Sequence, residues 1–200
     1  MEQKHDRDLI QIVAAALAEA ARRSGAWLAC RPGCCQCCFA PFEINQLDAR
    51  RLRDGLARLD GTDHGRAERV RERARAAVSR LSADFPGDPL TGLLAGGETE
   101  FAQFADAFDS EPCPALDPAQ GTCDLYASRP ITCRTFGPAV RDPSGSIGIC
   151  ELCYEGASHA EIGECAVEID IEKLEESLNR EAESAAGRQG STIVAFCLAS

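Results

Sequence analysis

The chain has 200 residues, 12 of them cysteine, and a formal net charge of −11. That length suits one domain with a helical extension, and 44% hydrophobic residues with only 6% aromatics supply a modest core that cross-links are expected to supplement. The acidic balance argues against broad nucleic-acid binding.

The periodicity predicts a first helix over residues 8–24, with Leu9, Val13, Ala16, Leu17 and Ala20 on one face, Asp6 or Asp8 as cap and Gly25 after its end. Trp27 lies just beyond, where an anchor ahead of the first cysteines is expected. After the cysteine run CRPGCCQCC comes a short extended segment, FAPFEI. Asn45 then caps a second helix to about Leu59, with Ala49, Leu52, Leu56 and Leu59 in a stripe. Gly61 to Gly65 reads as a break. A third helix runs from about Arg66 to Ala83 on Val70, Ala74, Val78 and Leu81. Residues 98–108 form a short amphipathic helix with Phe101, Phe104 and Phe108 on one side. The stretch Cys113–Cys153, rich in Pro and Gly, reads as loops and turns. A long helix follows over 170–186, and the tail STIVAFCLAS fits a strand or a short helix equally well. The expected class is mainly α, with irregular, metal-stapled cysteine-rich loops and few short strands. Residues 1–200 read as one domain, with a cysteine-cluster core over 27–153 and a helical extension over 166–200.

Charge is uneven. Residues 45–83 carry ten Arg against six Asp and Glu, or +4, which leaves −15 elsewhere. A solvated helix face with Glu/Arg pairs is the favoured reading over a nucleic-acid patch.

The start MEQKHDRD is polar and lacks a secretory-signal layout. The apolar stretch from Leu9 to Ala21 is broken by Gln11 and Glu19 and is too short to span a bilayer. A cytoplasmic setting is therefore expected. Thiols stay reduced there, so many cysteines point to metal rather than to a disulfide scaffold.

The first block holds Cys30, Cys34, Cys35, Cys37 and Cys38, with interleaved C-x-x-C pairs Cys34/Cys37 and Cys35/Cys38. A two-residue spacer lets a tight turn bring both sulfurs onto one metal, and Gly33 suits a sharp turn. From extended backbone, Cys37 and Cys38 point apart, so they are expected to serve different metals or to bridge. The second block holds Cys113, Cys123 and Cys133, then a third C-x-x-C, Cys150/Cys153. A four-thiolate zinc site carries about −2, and Arg31, Arg129 and Arg134 lie near ligand positions, where they can offset it. Thioredoxin-type redox chemistry expects one such motif in a βαβ unit, and no βαβ pattern is present. His5 and His64 read as solvated. His159 is a weak candidate ligand, and Cys197 reads as a small buried hydrophobe.

The run Cys30-x3-Cys34-x2-Cys37-Cys38, followed by CPAL and CDLYASRPITCRTF, resembles the YkgJ-type cysteine-cluster family, the CxxCxxCC zinc- or iron-chelating domain, over roughly residues 27–153. The resemblance implies eight ligand positions: Cys30, Cys34, Cys37, Cys38, Cys113, Cys123 and Cys133, with one of Cys150 or Cys153. Cys35 departs from the family pattern. Tyr126, Arg129 and Pro130 match it and read as structural. The resemblance also implies zinc, iron or an iron–sulfur cluster as cofactor. Its members include proteins labelled iron–sulfur oxidoreductases, and a flagellin lysine N-methylase shares the domain.

Three functions follow as expectations. The first is a metal-binding module with ligands from both blocks. The second is an iron–sulfur-dependent enzyme, an oxidoreductase or protein-lysine N-methylase, although no glycine-rich nucleotide fingerprint is present. The third is an interaction protein, with the Arg-rich segment 45–83 and the acidic helix 170–186 docking to a protein partner or to each other.

Overall fold

A computed structural model describes residues 2–31, 33–142 and 144–199. In chain order these form α1 (Glu2–Ser24), β1 (Glu43–Ile44), α2 (Gln46–Thr62), α3 (His64–Leu81), β2 (Gly87–Asp88), β3 (Leu93–Leu94), α4 (Glu98–Ala107), β4 (Leu116–Asp117), β5 (Thr122–Cys123), α5 (Ile131–Thr135), β6 (Val140–Arg141), β7 (Ile147–Gly148), α6 (His159–Cys165), β8 (Val167–Glu168), α7 (Glu172–Ala186), β9 (Thr192–Ile193) and α8 (Val194–Ala199). The fold is mainly α with few short strands, as the periodicity led one to expect. Two compact units divide the chain: Met1–Cys34 with Ile131–Glu181, and Cys35–Pro130 with Ala182–Ser200. Among the described residues no helix is long and apolar enough to cross a membrane.

In the first unit α1 starts at Glu2, six residues before the expected start. Residues 2–8 contain no Gly or Pro, and Glu, Gln, Lys and Arg propagate a helix well, so no cap is needed at Asp6 or Asp8. Leu9, Val13 and Ala20 of α1 are fully buried, and the helix packs against α5, α6 and β8. β6 is the middle strand of a three-stranded sheet, antiparallel to β7 and parallel to β8. A capping box starts α6: Ser158 Oγ accepts the Glu161 N–H, and Glu161 Oε2 accepts the Ser158 N–H at 2.8 Å.

The second unit is built on α2, α3 and α8. Asn45 caps α2 as expected, its Oδ1 accepting the Asp48 N–H at 2.9 Å. The expected break at Gly61–Gly65 shrinks to a single residue. The Asp63 N–H donates to Leu59 O at 2.6 Å, closing α2, while Asp63 Oδ1 accepts the Arg66 N–H at 2.9 Å, opening α3. Leu52, Leu56, Val70, Ala74, Leu125, Val194 and Leu198 belong to one apolar cluster. Leu81, Phe85, Phe104 and Ile193 form a second, with Phe101, Phe108 and Phe196 against it. The ambiguous tail is both strand and helix: β9 pairs antiparallel with β1, and α8 follows at once. Its Val194, Ala195, Cys197 and Leu198 are all buried, which a helix apolar on nearly every side requires.

The arginines of 45–83 do more than line a wet face. Arg71 and Arg75 pair with Glu68 at the surface. Arg80 reaches Glu111, and Arg66 and Arg73 reach Asp124, in the loop segment beyond α4. Arg51 is buried against Asp48. Gly55 on α2 allows the turn at 126–128 to come close, since a Cβ there would lie 2.4 Å from Ser128 Oγ.

Replacing the cap in Asn45→Ala is expected to lower unfolding free energy by about 1 kcal/mol. Urea denaturation checks this, and an unchanged midpoint removes the cap's role.

Candidate metal centres

In the first unit Cys30 Sγ lies 4.0 Å from Cys153 Sγ. A tetrahedral four-thiolate ion with bonds near 2.3 Å sets its sulfurs about 3.8 Å apart, so this pair is almost at ligand spacing. Cys150 and Cys153 are buried. The Cys153 N–H donates to Cys150 O at 2.9 Å, which is the tight turn a C-x-x-C spacer predicts. The Cys30 residue is exposed overall, yet its sulfur sits against buried Cys153. Partial burial, then the nearby Cys153, Cys34 and Cys150, push the Cys30 thiol up to about 12. Burial also raises Cys150, with Cys153 and Cys34 adding to it. Cys30, Cys34, Cys150 and Cys153 therefore lie within one another's electrostatic reach.

Two residues that the sequence did not single out hold this cluster. Tyr154, which follows Cys153, donates its backbone N–H to Trp27 O at 2.9 Å. Its buried hydroxyl lies 2.6 Å from Ser24 Oγ and accepts the Ala139 N–H at 2.8 Å. The expected anchor at Trp27 is thus its carbonyl, while the residue itself is 36% exposed. Gly137 has φ +121°, and a Cβ there would stand 2.6 Å from Cys30 Sγ. Both signals were local: one of only two tyrosines, directly after a C-x-x-C, and a Gly-Pro after Phe136.

In the second unit the expected opposition of Cys37 and Cys38 does not arise. Gln36–Cys38 is a 3-10 turn rather than extended chain, with the Cys38 N–H donating to Cys35 O at 2.9 Å. The two sequence-distant blocks are joined by backbone. The Cys113 N–H donates to Cys38 O at 2.7 Å, and Phe39 bridges Pro112. β5 pairs Cys123 with Leu116 of β4, three residues after Cys113.

A hydrogen bond with Cys38 holds the Cys37 thiol down at about 6, and Arg129 helps. The same bond raises Cys38, followed by burial and by Cys37, Cys113 and Cys123. Burial pushes Cys113 up to about 12, with Cys123 contributing, and also raises Cys123. Arg129 lies 3.9 Å over the Tyr126 ring and favours the anions of Cys37 and Cys123. Cys37, Cys38, Cys113 and Cys123 thus form a second group, with an arginine beside it.

Cys133 is half-buried on α5 of the first unit. Cys35 opens the 3-10 turn. Cys165 donates to Arg23 O at 3.5 Å. Cys197 donates to Ala49 O at 3.2 Å, and burial pushes it up to about 11, as suits a small buried hydrophobe. His5, His64 and His159 are exposed. Among the described residues no group of three or more His, Cys, Asp and Glu side chains is placed so as to hold a metal ion. A cleft of about 360 Å³ opens in the first unit, lined by Thr132, Phe136, Gly137, Arg141, Ile149 and Ile171 among others.

A mainly α chain with its thiols gathered in this way belongs to the class of cysteine-cluster metal binders. The model of the CxxCxxCC family, described as a "putative zinc- or iron-chelating domain", matches residues 29–165, and the chain belongs to that family. Comparisons with curated proteins and with solved structures returned no match.

In Gly137→Ala the added methyl meets Cys30 Sγ and the backbone is strained. A loss of about 1–3 kcal/mol is expected, and urea denaturation of the metal-free protein reads it. The same protein also carries a pH signature. Cys30 and Cys113 stay protonated in the fold well above their ordinary value of 9.0, whereas the unfolded chain ionises there. Folded protein then binds more protons than unfolded, and stability falls as pH rises from 9 toward 12. Cys113→Ala should flatten that decline; an unchanged slope removes Cys113 as a source.

Proposed function

We propose that the chain binds two metal centres of zinc or iron, one in each unit. Cys30, Cys34, Cys150 and Cys153 would hold the first, and Cys37, Cys38, Cys113 and Cys123 the second. The observation that carries this reading is the division of eight cysteines into two groups of four, each confined to one unit and each with members that shift one another's ionisation. Four thiolates accept either zinc or iron in tetrahedral geometry. Binding needs thiolates, so the raised thiols release protons on loading, and metal becomes linked to folding and to pH. All 12 cysteines are free thiols, the state a reducing compartment such as the cytoplasm maintains.

A second reading rests on the cleft. Gly137 both lines it and approaches Cys30 Sγ, so a redox-active iron or iron–sulfur centre there would adjoin room for a substrate, and the protein would be an oxidoreductase. Reversible bleaching of visible absorption by dithionite supports that version, and a colourless zinc protein rejects it.

Anaerobic purification with elemental analysis and native mass spectrometry is expected to give two metal centres per chain. Cys34→Ser and Cys38→Ser should each leave one, and Cys197→Ala should leave both. A metal-free wild-type protein overturns the reading.

A further inference from the structure

Arg73 and Arg66 stand seven residues apart on α3, two turns along one face. Both donate to one carboxylate: Arg66 Nε to Asp124 Oδ1 and an Arg73 terminal nitrogen to Asp124 Oδ2, each at 2.5 Å. The Asp124 side chain is only 2% exposed. Arg73 Nε also donates to Pro114 O at 2.8 Å. Pro114 follows Cys113, and Asp124 follows Cys123. The Asp124 N–H closes the ring by donating to Ala115 O at 2.7 Å. One guanidinium thus grips the backbone beside one cysteine and the side chain beside another. It does so where β4 and β5 have only two residues each to set register.

We propose that Arg73, supported by Arg66, is a positioning residue for the metal centre of the second unit, holding the segments that carry Cys113 and Cys123 together and supplying charge against the Cys113 thiolate. This inference rests on the two-centre reading above. Two guanidinium groups on one carboxylate leave a surplus of one positive charge beside Cys113. Arg129 brings another beside Cys37 and Cys123. A divalent ion on four thiolates carries about −2, so the surrounding cations match it. Arginine suits the task because its planar fork presents donors to two acceptors in a fixed geometry, whereas a lysine ammonium is a point charge on a flexible stem.

A salt bridge that only stabilised its unit would be no different from another ion pair of that unit, such as Arg80–Glu111. A positioning residue acts on the centre it adjoins. The test is native mass spectrometry of the anaerobically purified chain, with release of each metal to a chromophoric chelator and circular dichroism as a check of fold. Arg73→Met is expected to release the second-unit metal about ten-fold faster, the low end for losing a support behind a ligand, with first-unit release unchanged. Arg73→Lys should fall between it and wild type. Arg80→Met, which removes only the Arg80–Glu111 pair, should match wild type. Wild-type protein with two metals and an Arg73→Met variant with unchanged release overturn the inference, as does equal acceleration at both centres. Should Arg73→Met fail to fold, Arg73→Lys decides: unchanged release from it overturns the inference. A metal-free wild type instead overturns the two-centre reading itself.

Discussion

The constraint on which this structure depends is that its cysteines ride on backbone too short to hold itself. Each strand has two residues, far below the five or six typical of strands in globular proteins. Position must come from side chains that tie loops to helices. In both units the tie follows a cysteine directly. Tyr154 after Cys153 links to Ser24 at the end of α1, and Asp124 after Cys123 links to Arg66 and Arg73 on α3. The long helices provide the rigidity, and one buried hydrogen-bonding residue passes it to the thiol beside it.

Those helices are ordinary in their own energetics. α2, α3 and α8 close on an apolar cluster that contains no candidate ligand among its buried members and receives Cys113 and Cys123 at its margin. The Phe85–Phe104–Phe196 group fills the far end. In the first unit the thiols are closer to being the core itself: Cys150, Cys153 and Cys165 pack with Ala139 and Tyr154. Burying thiols there costs little while they are neutral and much when they ionise. That is why Cys30 and Cys150 resist deprotonation, and why a cation among them would matter to the fold.

Much of this was legible residue by residue. Asn45, the stripes of α2 and α3, the aromatic face of α4 and the turn within Cys150–Cys153 all rest on contacts a few positions apart, which periodicity and spacing encode. The misreadings share one cause. The early start of α1 lacks a signal because nothing there forbids a helix. The single-residue join at Asp63 depends on one side chain capping a helix its backbone has just closed off from the other side. The conflict expected between Cys37 and Cys38 assumed an extended chain, and the 3-10 turn removed it. The tail was ambiguous because its strand exists only through pairing with β1. Likewise, the ion pairs of Arg66 and Arg73 were invisible because their partner lies about fifty residues on.

By itself the sequence determined the supply of thiols, the helical class and the membership of a cysteine-cluster family, because residue type, short spacing and helical period are local properties. Only the tertiary structure decided which cysteines share a unit, with the division falling at Cys34–Cys35. It also placed Arg73 on Pro114 and Asp124, and Gly137 against Cys30 Sγ. Those choices depend on backbone pairing and side-chain anchors between segments tens of residues apart, and no local pattern carries that information.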